Sequence, residues 1–153
     1  MPIEIERKFL VTSNDFKKNA KKVNINQVYL FASEQMAIRI RIDDLQASIA
    51  IKSKESERVN KEYEYIIPKD EAISMMKTYD VPKIRKSRYV LTYRDHIWEV
   101  DEFYDENSGL IIAEIELNDV NEKFDLPPWV GGEVTADYRY LNSNLAIKPF
   151  NGW

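Results

Sequence analysis

Charged and apolar residues alternate strictly along most of this chain, and that alternation limits its fold more than any other feature. In Ile3-Glu4-Ile5-Glu6-Arg7-Lys8-Phe9 the side chains of Glu4, Glu6 and Lys8 fall on one side of an extended backbone, and those of Ile3, Ile5 and Phe9 on the other. A period of two is the spacing of a β-strand; at 3.6 residues per turn the same residues would be spread around a helix. The pattern returns with Arg39 and Arg41 among Ile38, Ile40 and Ile42, and with Lys52 against Ile49 and Ile51. Glu62 and Glu64 alternate with Tyr63 and Tyr65, and Lys86 and Arg88 with Ser87 and Tyr89. Glu99 and Asp101 alternate with Trp98 and Val100, and Glu114 and Glu116 with Ala113, Ile115 and Leu117. Turn-forming stretches at Asp43-Asp44, Arg94-Asp95-His96 and 105–109 separate several of these runs. The pattern predicts at least seven strands, mostly antiparallel neighbours.

Helix signals are fewer. Ser13-Asn14-Asp15 offers a cap for a helix reaching about Lys22, and Lys69-Asp70-Glu71 opens one that passes Met75 and Met76 and ends near Tyr79, before Pro82. A third is expected from Asp137 to Ala146. Many short strands with three helices indicate an α+β domain built on a large sheet or barrel. A chain of 153 residues is about what one hydrophobic core supports, so residues 1–153 are read as one domain.

A net charge of −4 opposes a broad grip on nucleic acid, which needs a surplus of Lys and Arg, so any bound polyanion is expected to be small. With no cysteine there is neither a disulfide framework nor a thiolate metal site, which suits the cytoplasm. The acidic start lacks the basic flank and apolar run of a signal peptide, and no membrane span or membrane partner is expected. His96 is read as exposed in a hairpin turn, Trp129 as a packing plug, and Met75 and Met76 as helix packing.

The paired charges admit two readings. On an open sheet they are a solvated outer face. In a sheet closed into a barrel, with helices on an apolar outer wall, they line the lumen. There the bases suit phosphate oxygens, Arg through bidentate contacts and Lys as a point charge. The acids would then hold a hard cation such as Mg²⁺ or Mn²⁺.

The opening Glu4-x-Glu6-x-Lys8 resembles the signature of the CYTH superfamily, the triphosphate tunnel metalloenzymes, and the rest of the chain follows in that family's order. Gln27-x-Tyr29-Leu30, Arg39-x-Arg41, Ile51-Lys52, Glu62-x-Glu64 and Lys86-x-Arg88-Tyr89 come first. Trp98-Glu99-Val100-Asp101, Gly109-Leu110, residues 113–117 and Val134-Thr135-x-Asp137-x-Arg139-Tyr140 complete it. The resemblance covers about residues 3–147 and is similar in scale to the short bacterial triphosphatases. It implies a closed eight-stranded antiparallel barrel with a few helices packed outside. It also implies that Glu4, Glu6, Glu114 and Glu116 bind Mg²⁺ or Mn²⁺, with Glu62, Glu64 and Asp101 as further catalytic acids near metal or water. Lys8, Arg39, Arg41, Lys52, Lys86 and Arg88 would grip phosphate, Lys8 also acting in catalysis; Tyr29 is placed between wall packing and phosphate contact. The activity implied is hydrolysis of a small triphosphate, tripolyphosphate ahead of ATP or thiamine triphosphate. A CYTH-type adenylate cyclase and a noncatalytic polyphosphate- or nucleotide-binding module are the alternatives. Val28 stands where many short bacterial members have glycine, which puts substrate fit in question.

Overall fold

The side of the sheet that each alternating residue faces is settled by one long-range pairing. In the computed structural model, which describes residues 2–153, strand β1 (Ile3–Val11) meets β5 (Val59–Ile67) antiparallel through Ile3↔Lys61, Glu4↔Asn60 and Ile5↔Val59. That contact closes a sheet whose order is β5-β4-β3-β2-β6-β7-β8-β1, so eight strands form a ring and lose their free edges. The remaining members are β2 (Lys21–Ala32), β3 (Met36–Ile42), β4 (Ala47–Lys54), β6 (Lys83–Tyr93), β7 (His96–Phe103) and β8 (Ile111–Leu117). A short ninth strand, β9 (Val130–Glu133), pairs with the far half of β1 outside the ring.

Directly paired residues share a face. Register therefore puts Glu6 beside Glu116, Lys8 beside Glu114, Arg41 beside Gln27, Lys52 beside Glu62 and Arg88 beside Asp101, all on the inner surface. The apolar partners of the alternation face out and must be covered. Phe9, Trp98, Val100 and Ile115 pack under Phe16 and Trp129, with the Trp98 and Trp129 rings 5.9 Å apart edge to face. Val28, Ile40 and Ala47 pack under Ala72, Met75 and Met76 of helix α1 (Lys69–Thr78). Trp129 and the two methionines thus pack as expected.

The expected helix from Ser13 to Lys22 does not form. Asp15–Lys17 make a single 3-10 turn that buries Phe16, and from Lys21 onward the chain pairs with β6. Asn14 makes no side-chain capping hydrogen bond, and ladder pairing of the Val23/Ile25 face decides the conformation beyond the turn. The third helix shortens to a 3-10 turn at Tyr138–Tyr140 and helix α2 (Asn142–Ile147). Nor does α2 lie on the outer wall: Leu145 and Tyr140 pack with Tyr29, Ile84, Phe103 and Ile112, inner-face residues at one end of the ring. This apolar floor shuts that end. Val28 faces α1 on the outside, so the bulk that replaces glycine there does not enter the lumen. Among the described residues, no helix is long and apolar enough to cross a membrane.

Candidate functional site

From mouth to floor, the inner surface changes from acidic to basic to apolar. Strand β1 states the order by itself, since Glu4, Glu6, Lys8 and Leu10 follow one another down the wall. The outer chamber, of about 220 Å³, is lined by Glu4, Glu6, Glu62, Glu64, Glu99, Glu114 and Glu116 with Arg39, Arg41, Lys52 and Arg88; Ile115 borders it too, but its side chain packs in the outer core. Below it, Lys8, Tyr29, Lys86 and residues 141–143 border a smaller space that shares Arg39, Arg41, Lys52, Arg88 and Glu114 with the chamber above. Larger hollows of about 580 and 990 Å³ lie elsewhere, without this gathering of inward charge.

Acids and bases near the mouth are partly matched. Lys52 Nζ lies 3.6 Å from Glu4 Oε2, 3.5 Å from Glu6 Oε1 and 3.9 Å from Glu62 Oε2. Arg39 reaches Glu62 at 3.4 Å and Glu64 at 3.0 Å, while its buried Nε has no hydrogen-bond partner. Burial and a hydrogen bond shared with Glu62 push the Glu4 carboxyl up to about 8, so that Glu4 keeps its proton and donates a hydrogen bond to the Glu62 carboxylate. Burial also disfavours charge on Glu6, but Lys52 and Lys8 overcome it and hold that carboxylate down to about 2. Burial and the negative Glu6 raise Glu114; burial and Glu99 raise Glu116. These carboxylates crowd one another, as acids kept together for a cation must.

Deeper in, Asp101 is surrounded by cations. Its Oδ1 accepts from Arg88 Nε at 2.8 Å, and its Oδ2 from Lys86 Nζ at 2.7 Å and Arg88 Nη2 at 3.0 Å. Against the effect of burial, Arg88 and Lys86 hold Asp101 well below the usual carboxylate range. Burial pulls Lys86 down to about 7, Asp101 pulling the other way. Arg41 is different: it makes no ion pair among the described residues, and its Nε donates to Gln27 Oε1 at 3.0 Å. Burial, then Arg39 and Arg88, lower it to about 10. Tyr29, 5% exposed, accepts from Gln27 Nε2 at 2.7 Å and joins the floor.

All the residues singled out by spacing therefore converge on one lumen. Asp101 sits behind the lining, its oxygens committed to Lys86 and Arg88. Glu99, Gln27 and Asn142 also join the site, although the sequence assigned them no role there. Glu99 shares a face with Asp101, and Gln27 with Tyr29 and Arg41, so both were legible from the strand period. Asn142 accepts from Lys86 Nζ at 2.7 Å, a tertiary contact with no local signature. His96 is not free in solvent: its Nε2 lies 2.7 Å from Glu122 Oε2 and its ring stands edge-on to Phe124. The acids offer only hard oxygen donors, the chemistry that Mg²⁺ or Mn²⁺ takes. Among the described residues no three of them are yet drawn together as a metal-binding group.

Known proteins agree with this geometry. The chain is 42% identical over 151 residues to an inorganic triphosphatase of Acetivibrio thermocellus, covering 98% of this chain and 97% of that one. It is 34% identical over 150 residues to an inorganic triphosphatase of Nitrosomonas europaea, covering 95% and 97%. A crystal structure of an inorganic triphosphatase superposes with a TM-score of 0.70 at 31% identity, over 94% of this chain and 97% of that one. The model of the CYTH domain matches residues 2–146, so the chain belongs to the CYTH domain family.

Proposed function

We propose that this chain hydrolyses a triphosphate held inside the ring, tripolyphosphate in preference to ATP or thiamine triphosphate. The observation that carries this reading is Arg41, an inward cation with no acid partner among the described residues, below a layer of carboxylates. Arg39, with its unmet buried Nε, and Lys8, which lies 3.7 Å from Glu114, extend the anion site beside it. Glu4, Glu6, Glu114 and Glu116 would hold Mg²⁺ or Mn²⁺, with Glu62 near them. The bound ion would supply Lewis-acid neutralisation of phosphate oxygens and lower the pKa of a coordinated water.

The chain's own residues do the rest. Arg41, Lys8 and Arg39 bind and orient the phosphates, and they face the charge that builds on the leaving diphosphate as the terminal P–O bond breaks. Carboxylates at the mouth, Glu64 and Glu62, stand on the side from which water enters and are suited to accept its proton. Asp101 acts as a positioning residue, fixing Lys86 and Arg88. A lining made of charged side chains gives a purine or thiazole ring no apolar platform, which supports inorganic tripolyphosphate.

The test offers purified protein tripolyphosphate, ATP and thiamine triphosphate in turn with Mg²⁺ or Mn²⁺ and resolves orthophosphate, diphosphate, ADP and cyclic AMP. Tripolyphosphate should give orthophosphate and diphosphate fastest. Cyclic AMP forming faster than orthophosphate would reverse the assignment.

A further inference from the structure

Lys52 is a cation on the wrong side of its own site. Of the inward bases, it is the one whose ammonium lies within 4 Å of three different carboxylates, those of Glu4, Glu6 and Glu62. Arg41, by contrast, has no acid partner among the described residues. Lys52 also borders both chambers, the acidic mouth and the cationic space beneath it. Its flexible four-carbon stem lets one point charge serve either.

We infer that Lys52 is an exchangeable resident cation: its ammonium neutralises the acid cluster of the metal-free protein, and a divalent metal entering that cluster displaces it toward the phosphates below. Two like charges cannot share a cluster of this size without strong repulsion. A metal therefore binds against Lys52, and bound phosphate, by drawing Lys52 down, must strengthen metal binding in return. Asn60, whose Nδ2 donates to Glu6 Oε1 at 3.3 Å, keeps Glu6 hydrogen-bonded whichever cation is present. This inference rests on the acid cluster being the metal site of the proposed function.

Calorimetric titration of the metal-free protein with Mn²⁺ alone tests the exchange without turnover. Lys52→Met, which keeps the length of the stem but not the charge, should bind Mn²⁺ about tenfold tighter or more. Lys52→Arg, which keeps the charge, should stay within about threefold of wild type. Glu6→Gln serves as the reference for the site itself and should lose most of its Mn²⁺ affinity. Retained affinity in Glu6→Gln would remove the acid cluster as metal site, and both readings with it. Lost affinity in Glu6→Gln, together with unchanged or weaker binding in Lys52→Met, would overturn the exchange alone. Should Lys52→Met fail to fold, wild type answers by itself: the Lys52 ε-methylene NMR resonance should shift on titration with Mg²⁺ while that of Lys86 stays. An unmoved Lys52 signal at metal saturation would sink the proposal.

Discussion

Lys86 and Asp101 face each other across β6 and β7 at 2.7 Å, and both side chains are almost wholly removed from water. With Arg88 donating to both carboxylate oxygens, this triad stands between the charged lumen and the apolar floor. Taking charges out of water costs several kcal/mol each, so such a pair is fragile to the loss of either member.

Asp101→Asn should therefore destabilise strongly, by about 3–5 kcal/mol, because it leaves buried Lys86 without a carboxylate and Arg88 with only Glu99, 3.3 Å away. At roughly 2–4 °C per kcal/mol, a fall of about 10 °C in Tm is expected by thermal denaturation. Equal stability of variant and wild type would show that Lys86 and Arg88 find other partners.

Arg41→Ala should behave in the opposite way. Removing a cation without an acid partner relieves repulsion from Arg39 and Arg88, so Tm should stay level or rise. Tripolyphosphate hydrolysis should fall on the order of 10²-fold or more, as on deleting one transition-state donor. Parallel kinetics and melting curves check both halves.

Glu116→Gln carries a pH signature. The folded protein raises Glu116 above its ordinary value, so the wild type takes up more protons than the unfolded chain between the two. Stability linked to this group is present at low pH and is lost as pH rises through the folded pKa. The variant should match wild type near pH 4 and exceed it at pH 8 in metal-free buffer. Under the proposed function it should also lose metal-dependent turnover.

His96 gives a second pH test, outside the ring. Its hydrogen bond to Glu122 raises the imidazole pKa, so the stabilisation is complete below the ordinary value of about 6.5 and fades as pH rises through the folded one. Because the pair sits at the surface, half-buried and screened by solvent, His96→Gln should cost only about 1–2 °C at pH 5.5 and less at pH 8.5. A larger loss at the higher pH would contradict it.

Much of this was legible in the sequence because a strand's period is unambiguous. Glu4, Glu6 and Lys8 had to share a face, as did Arg39 with Arg41 and Lys86 with Arg88. Which face was inside depended on the pairing of Ile3 with Lys61, a contact across 58 residues that no local pattern encodes. The same limit hid Asn142, which reaches Lys86 only after the C-terminal segment folds under the ring. Ser13-Asn14-Asp15 misled for the converse reason: a local capping pattern preceded residues whose pairing with β6 decided their conformation. Asp101 shared the acidic pattern of Glu99, yet lies one step deeper, where its neighbours are bases.

The apolar floor makes the lumen a vessel with one door. Under the proposed chemistry, whatever enters first lies nearest Asn142, and it cannot leave until the piece nearer Glu4 has gone. The two products of each cleavage must then depart in a fixed order, outer before inner. An excess of the inner product should inhibit from the bottom of a queue, holding its place while fresh substrate waits above.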